Sequence, residues 1–185
     1  MRKTFCGVLA ALLLLLTACA AKVYVPVGEP TGDEALDAAV LELLQERCSP
    51  KKSERENIEA VYRFIAEDIT YRPGTADTSG GFTDSLTHEL ALELLQKRKG
   101  NCDGQAALMA VLLQRMGYTA QIVQGTFTRE EGTEPVDHAW VCATINGVGY
   151  YFDPLYGGGF CQNGMDYCMA SKALLSQTHQ WDETA

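Results

Sequence analysis

The pair Asn146-Gly147 constrains this chain more than any other two residues. Asn-Gly is the strongest short signal for a two-residue turn between antiparallel strands, because both residues accept positive φ and the turn then matches the twist of its strands. On one side lies the run His138 to Ile145, and on the other the chain returns from Gly149 to Asp153. With Asn146 and Gly147 as the loop, Ile145 pairs with Val148, and stepping outward sets Trp140 opposite Asp153. His138 is then one diagonal step from Asp153 on the same face, where Cα atoms lie roughly 7–8 Å apart, a gap that an imidazole and a carboxylate can bridge. A slip of one residue would send the two side chains to opposite faces. Cys142 and Tyr151 share the His138 face, and the helix that carries Cys102 is expected to pack there.

Upstream of the hairpin the apolar residues follow helical spacing. From Asp33 to Arg47 they are Leu36, Val40, Leu43 and Leu44. Ser53 and Glu56 make a capping box for a second helix with Ile58, Val61, Tyr62 and Ile65 as its stripe. Residues 72 to 81 are rich in Gly, Thr, Ser and Asp and read as a loop. Thr87 is the expected cap of a third helix through Arg98, burying Leu90, Leu94 and Leu95. Asn101 caps a fourth, which Ala106, Ala107, Met109, Ala110, Leu112 and Leu113 make apolar, and so buried, on most sides, with Gly117 as its end. Tyr118 to Thr128 then reads as a strand. Helices first and antiparallel strands after give an α+β order, and 185 residues suffice for one domain with one sizeable core.

Cys102 stands in the first turn of that fourth helix, in Lys99-Gly100-Asn101-Cys102-Asp103-Gly104-Gln105-Ala106. A thiol there meets free N–H groups and the positive end of the helix dipole, which favour the thiolate. Asp103 opposes this unless it points to solvent. Cys102, His138 and Asp153, a thiol, an imidazole and a carboxylate arriving in order on a helix and two strands, suggest nucleophilic acyl-transfer chemistry. The Cys102 backbone N–H supplies one oxyanion donor. Tyr71 is the candidate for the second, with Thr83 and Gln105 as alternatives. Trp140 reads either as packing beneath the imidazole or as a substrate contact. His88 reads as solvated and His179 as structural. The stretch Arg129 to Glu134 reads as a solvated acidic loop bordering the site, and Gly157-Gly158-Gly159 as a turn or a hinge.

Charge and cysteines narrow the function classes. A formal charge of -9 disfavours nucleic acid as a partner. No Cys-x-x-Cys pair suggests zinc, no oxygen-ligand loop suggests calcium, and no metal or organic cofactor is expected. Arg2 and Lys3 precede an apolar run from Val8 to Leu16, too short for a comfortable membrane span but laid out as a secretory signal. Leu16-Thr17-Ala18-Cys19 resembles the bacterial lipobox. That resemblance implies a signal peptide over 1–18, a lipidated Cys19 anchored outside the cell membrane, a tether over 19–32 and the domain over 33–185. Removing 1–18 takes away Arg2 and Lys3 and no acid, so the charge goes from -9 to -11, and a negative bilayer would hold the protein through its lipid alone. Cys48, Cys142, Cys161 and Cys168 remain. An exported chain permits two disulfides among them in three connectivities, a local Cys161–Cys168 bridge being one option and a simple core role for Cys142 another.

The block around Cys102, together with His138-Ala139-Trp140 and Phe152-Asp153-Pro154, resembles the transglutaminase-like superfamily on the papain-like fold. Glu67-Asp68-Ile69-Thr70-Tyr71 resembles that family's helix end, and Tyr167 to Lys172 with His179 to Asp182 resembles a tail of its bacterial members. The resemblance implies N-terminal helices with the nucleophile helix packed on an antiparallel sheet, Cys102 as nucleophile, His138 as base and Asp153 as its orienting carboxylate. It implies peptide or protein substrates at the cell envelope. Members crosslink glutamine to lysine, hydrolyse peptide or amide bonds, or are silent. Asp103-Gly104 stands where the animal crosslinking enzymes carry a tryptophan, which places hydrolysis first, crosslinking second and a silent peptide-binding module third.

Overall fold

The computed structural model describes residues 23–74, 76–129, 133–157 and 165–182. The expected signal peptide, Cys19, Cys161, the acidic pair Glu130-Glu131 and Gly158-Gly159 lie outside the described residues. Cys48, Cys102, Cys142 and Cys168 are free thiols.

Four helices come first: α1 (Glu34–Arg47), α2 (Glu54–Asp68), α3 (Asp84–Lys97) and α4 (Cys102–Arg115). Each begins at a side-chain cap, which satisfies N–H groups that the first turn leaves without a partner. Asp33 accepts from Ala35 and Leu36 for α1, and Ser53 and Glu56 form the reciprocal capping box for α2. Helix α3 starts a full turn earlier than expected. Its cap is Thr83, whose hydroxyl accepts from the Leu86 N–H, and Thr87 lies buried inside the helix. The bend at Gly80-Gly81 stops just short of Thr83, so the first residue able to cap does so, and Thr87 falls inside. For α4 the cap is Asn101, and the residues from Gly104 to Leu113 are all buried. A short parallel pair between β1 (Thr70–Tyr71) and β2 (Lys99–Gly100) sets Tyr71 opposite Gly100, two residues before the thiol. Pairs of two residues carry no periodicity, and this one was not visible in the sequence.

The main sheet has the order β5-β4-β3-β6, from β3 (Thr119–Phe127), β4 (Val136–Ile145), β5 (Val148–Phe152) and β6 (His179–Gln180). The hairpin register runs from Ile145 opposite Val148 to Val141 opposite Phe152, with Asn146 and Gly147 both at positive φ, as the turn requires. One expectation fails here. Ala139, Val141, Ala143 and Ile145 of β4 and Phe152 of β5 join α4 in the main core, so the body of α4 packs on the face opposite His138. A helix apolar all round buries most surface against an aliphatic face, and the other face of β4 carries His138, Cys142 and Thr144. That second face is covered by the C-terminal segment with α5 (Lys172–Leu175), where Trp140, Phe127, Leu155, Tyr156, Tyr167, Ala170 and Leu175 form a separate cluster. Only the first turn of α4 joins it, through Cys102. No helix among the described residues is long and apolar enough to cross a membrane.

Candidate active site

Asp153 lies buried next to Leu155 and Tyr156 of the second cluster. It follows β5 and caps a short helical turn, so its Oδ1 accepts from the N–H groups of Leu155 (3.1 Å) and Tyr156 (3.2 Å). Its Oδ2 accepts from Nε2 of His138 and from Nε2 of His179, each at 2.9 Å. The backbone is tied as firmly: its N–H donates to the Tyr167 carbonyl, and its carbonyl accepts from the Tyr62 hydroxyl at 2.9 Å. Four donors on a carboxylate that is 1% exposed offset the cost of burying the charge. Burial alone would push this carboxyl up, but the charge of His138 and the two imidazole hydrogen bonds hold it well below the usual range.

His138 is placed by the β4–β5 register. Burial disfavours its charged form, yet the Asp153 carboxylate and the hydrogen bonds to Asp153 and Cys102 prevail and raise it from 6.5 to about 9. The ring thus joins the other two members: Nε2 goes to Asp153, and the remaining nitrogen is left for the Cys102 thiol. Trp140 stacks on the imidazole at 5.8 Å, and Phe127 and Tyr156 meet it edge-on at 5.9 and 4.8 Å. Cys102 is half-buried, so the sulfur stands between a fixed imidazole and the surface. Asp103 does not point away: its Oδ1 is 3.9 Å from the Cys102 sulfur, and its Oδ2 accepts from the Asn101 amide at 2.7 Å.

The structure therefore brings together Cys102, His138 and Asp153. Tyr71 belongs to the same cluster, and burial followed by the charge of Cys102 raises its phenol. Of the alternatives to it, the Thr83 hydroxyl caps α3, and Gln105 is 3% exposed with its Oε1 sealed from any partner among the described residues. Trp140 is wholly buried and stacks on the imidazole. Two further residues stand at the site that the sequence reading did not place there. Tyr156 stands against His138, its phenol raised to about 12 by burial and then by Asp153, Tyr71 and Cys102. His179, taken as structural, shares the Asp153 carboxylate. Neither lies in a segment with readable periodicity. For His179 the signals were its place in the tail that resembles bacterial members of the superfamily and its aromatic company, Tyr167 before it and Trp181 after.

Among the described residues, His138, Asp153 and His179 form a group whose ligand atoms lie within 4.8 Å of one another. Metal binding requires the ring nitrogens as lone-pair donors. Here both Nε2 atoms donate to a carboxylate whose other oxygen is also engaged, which is the chemistry of a hydrogen-bond network. A cavity of about 410 Å³ adjoins the site on the far side of Asn101, bounded by Arg72, Leu90, Lys99 and Gly104 among others and by none of the three central residues.

Several solved structures are similar to parts of this chain. A structure described as a TGase superposes with a TM-score of 0.52 at 20% identity, over 77% of this chain and 36% of that one. A protein from Cytophaga hutchinsonii, provisionally classed as a cysteine protease, gives 0.49 at 19% identity over 64% and 37%. The periplasmic domain of TgpA from Pseudomonas aeruginosa, bound to ethylmercury, gives 0.42 at 24% identity over 66% and 43%. The chain thus spans well under half the length of each. No curated protein matches it. The sequence pattern of the transglutaminase-like superfamily matches residues 42–154, which hold Cys102, His138 and Asp153, and the chain belongs to that superfamily.

Proposed function

We propose that the protein is an exported, lipid-anchored cysteine acyl-transfer enzyme that hydrolyses peptide or amide bonds at the cell envelope. The observation that carries this reading is the His138 imidazole, tied to Asp153 Oδ2 at 2.9 Å and raised by the Asp153 carboxylate and by the Cys102 thiol beside it. In the proposed sequence the Cys102 sulfur attacks the substrate's carbonyl carbon while its proton passes to His138. The Cys102 N–H faces the resulting oxyanion, with the Tyr71 hydroxyl as the proposed second donor. Collapse breaks the carbon–nitrogen bond, and His138 gives its proton to the leaving amine, leaving a thioester. Water then attacks with His138 as base, and the sulfur departs with a proton. Asp153 holds the ring in place and stabilises the imidazolium throughout. An imidazole raised to about 9 supports the step in which it acts as acid.

Lysine amine in place of water would give crosslinking by the same thioester. Asp103-Gly104 beside the nucleophile favours hydrolysis, because the tryptophan of the animal crosslinking enzymes is missing there. Membrane attachment through Cys19 rests on the lipobox-like tetrapeptide alone.

The test is the pH dependence of Cys102 alkylation by iodoacetamide, located by mass spectrometry, in the wild type and in His138→Ala. Rapid labelling below pH 7 that disappears in the variant is the expected result. Labelling that rises only around pH 8.5, as for an ordinary thiol, and ignores His138 would sink the catalytic reading in favour of a silent binding module.

A further inference from the structure

We infer that His179 is a positioning residue for Asp153, held in its working tautomer by a hydroxyl chain from Thr178 and Tyr167. The inference rests on the acyl-transfer reading above and adds a member to it. It follows from counting donors. An ionised carboxylate only accepts, so each ring nitrogen 2.9 Å from Asp153 Oδ2 carries a hydrogen. His179 Nδ1 is then the acceptor of that ring, and its neighbour at 2.9 Å, the Thr178 hydroxyl, must donate to it. Having given its proton to Nδ1, Thr178 accepts from the Tyr167 hydroxyl at 2.8 Å, an oxygen acceptor nearer and stronger than the Met165 sulfur at 3.2 Å from the same hydroxyl. The alternative acceptor for Thr178, the Leu175 carbonyl, is farther away at 3.4 Å. Using it would force a proton onto Nδ1 as well, and so place a second imidazolium on one buried carboxylate. The chain is therefore directional: Tyr167 to Thr178 to His179 to Asp153.

Among the described residues, few groups face His179 that could set its state. Asp153, just after β5, and the His138 ring of β4, 5.6 Å away, face it, and the Tyr167 phenol faces it from the C-terminal segment. Phe127 and Trp140, at 5.1 and 4.8 Å, are uncharged. His179 itself is 1% exposed.

The arrangement has two consequences for the reaction. Leu155 and Tyr156 fix Oδ1 and His179 fixes Oδ2, so the carboxylate cannot turn away when His138 moves its proton. A shared Oδ2 also pulls less strongly on His138 than an undivided one, and the imidazolium must release its proton to the leaving amine in every cycle. His179 thus orients the carboxylate and moderates it.

The chain has three histidines, which makes the test direct. With histidine labelled by nitrogen-15, each imidazole is followed by NMR across pH, alongside iodoacetamide labelling of Cys102. In the wild type His179 is expected as the Nε2–H tautomer at about pH 7, the tautomer that a hydroxyl donating to Nδ1 selects. His179→Leu should raise the His138 midpoint by roughly half a unit and slow alkylation about tenfold, since Oδ2 loses one donor and the carboxylate its hold. His179→Gln, whose amide can donate from the same place, should recover most of both. Thr178→Val leaves the ring in place and should blur its tautomer signature while moving the His138 midpoint in the same direction. If the Leu and Gln variants behave alike, or if the His138 midpoint stays put in His179→Leu and Thr178→Val while labelling still depends on His138, His179 is structural and the inference is overturned. Labelling indifferent to His138→Ala would overturn the acyl-transfer reading, and this inference with it.

Discussion

Asp153 couples the electrostatics of the site to the stability of the fold, and the two histidine-facing contacts give that coupling a sign. The folded value of His138, about 9, lies above its ordinary 6.5, so its contribution to stability is complete below about pH 6.5 and is lost as pH rises through about 9. Asp153 works the other way. Its carboxyl lies below the ordinary 3.8, so its contribution is present above that value and is lost only as pH falls well beneath it. Stability against urea should therefore be greatest between about pH 4 and 6.5 and decline toward pH 9. Asp153→Asn should cost about 3 kcal/mol by breaking a buried pair. It should also flatten the slope, because burial is then opposed on His138 by Cys102 alone and the charged ring loses its main support. Urea denaturation of both proteins across that range checks the pair. A wild type as stable at pH 9 as at pH 6 would contradict it.

At the scale of the element, the decisive piece is β6, two residues long and placed by a glycine on its neighbour. Thr126 pairs with Gln180 and Phe127 with His179. A Cβ on Gly125 would stand 2.1 Å from the Gln180 carbonyl oxygen and 2.6 Å from the Trp140 ring, so the strand docks only because that position carries no side chain. Gly125→Ala is expected to loosen β6, slow Cys102 alkylation and lower thermal stability, at a position that lies opposite His138 on β4. Retention of the wild-type alkylation profile would show that β6 is not what holds the carboxylate. The long elements were legible in the sequence because each repeats its signal. Four apolar residues and a cap announce α2, and one Asn-Gly pair carries the register that joins His138 to Asp153. The short ones were not. The pairs β1–β2 and β3–β6 bury too few residues to leave a period, and His179 sits in one of them. The side on which α4 packs was misread for a related reason: periodicity tells which residues share a face, and the relative apolar area of the two faces decides which neighbour covers each.

At the scale of the molecule, the sheet separates two layers with different duties. On one face α4 and the helices around it bury the main aliphatic core, and on the other the C-terminal segment closes over His138, Trp140 and Asp153. Helix α4 links the layers, with its body in the core and its first turn in the site. Leu112 is wholly buried in that body, ten residues from Cys102, or about 15 Å along a helix. Leu112→Ala should cost about 2–5 kcal/mol of stability through lost burial and the cavity left behind. Because the cap at Asn101 and the contact with His138 lie at the other end, the pH midpoints of Cys102 alkylation should stay where they are. Denaturant unfolding and the alkylation profile, measured on the same variant, give the two readouts. A shift in the midpoints would mean that packing in the core is felt at the thiol, and that the two layers act as one. An unchanged profile on a weakened fold, set against the shifted profile expected for His179→Leu, would assign stability to the aliphatic face and the chemistry to the face that the C-terminal segment covers.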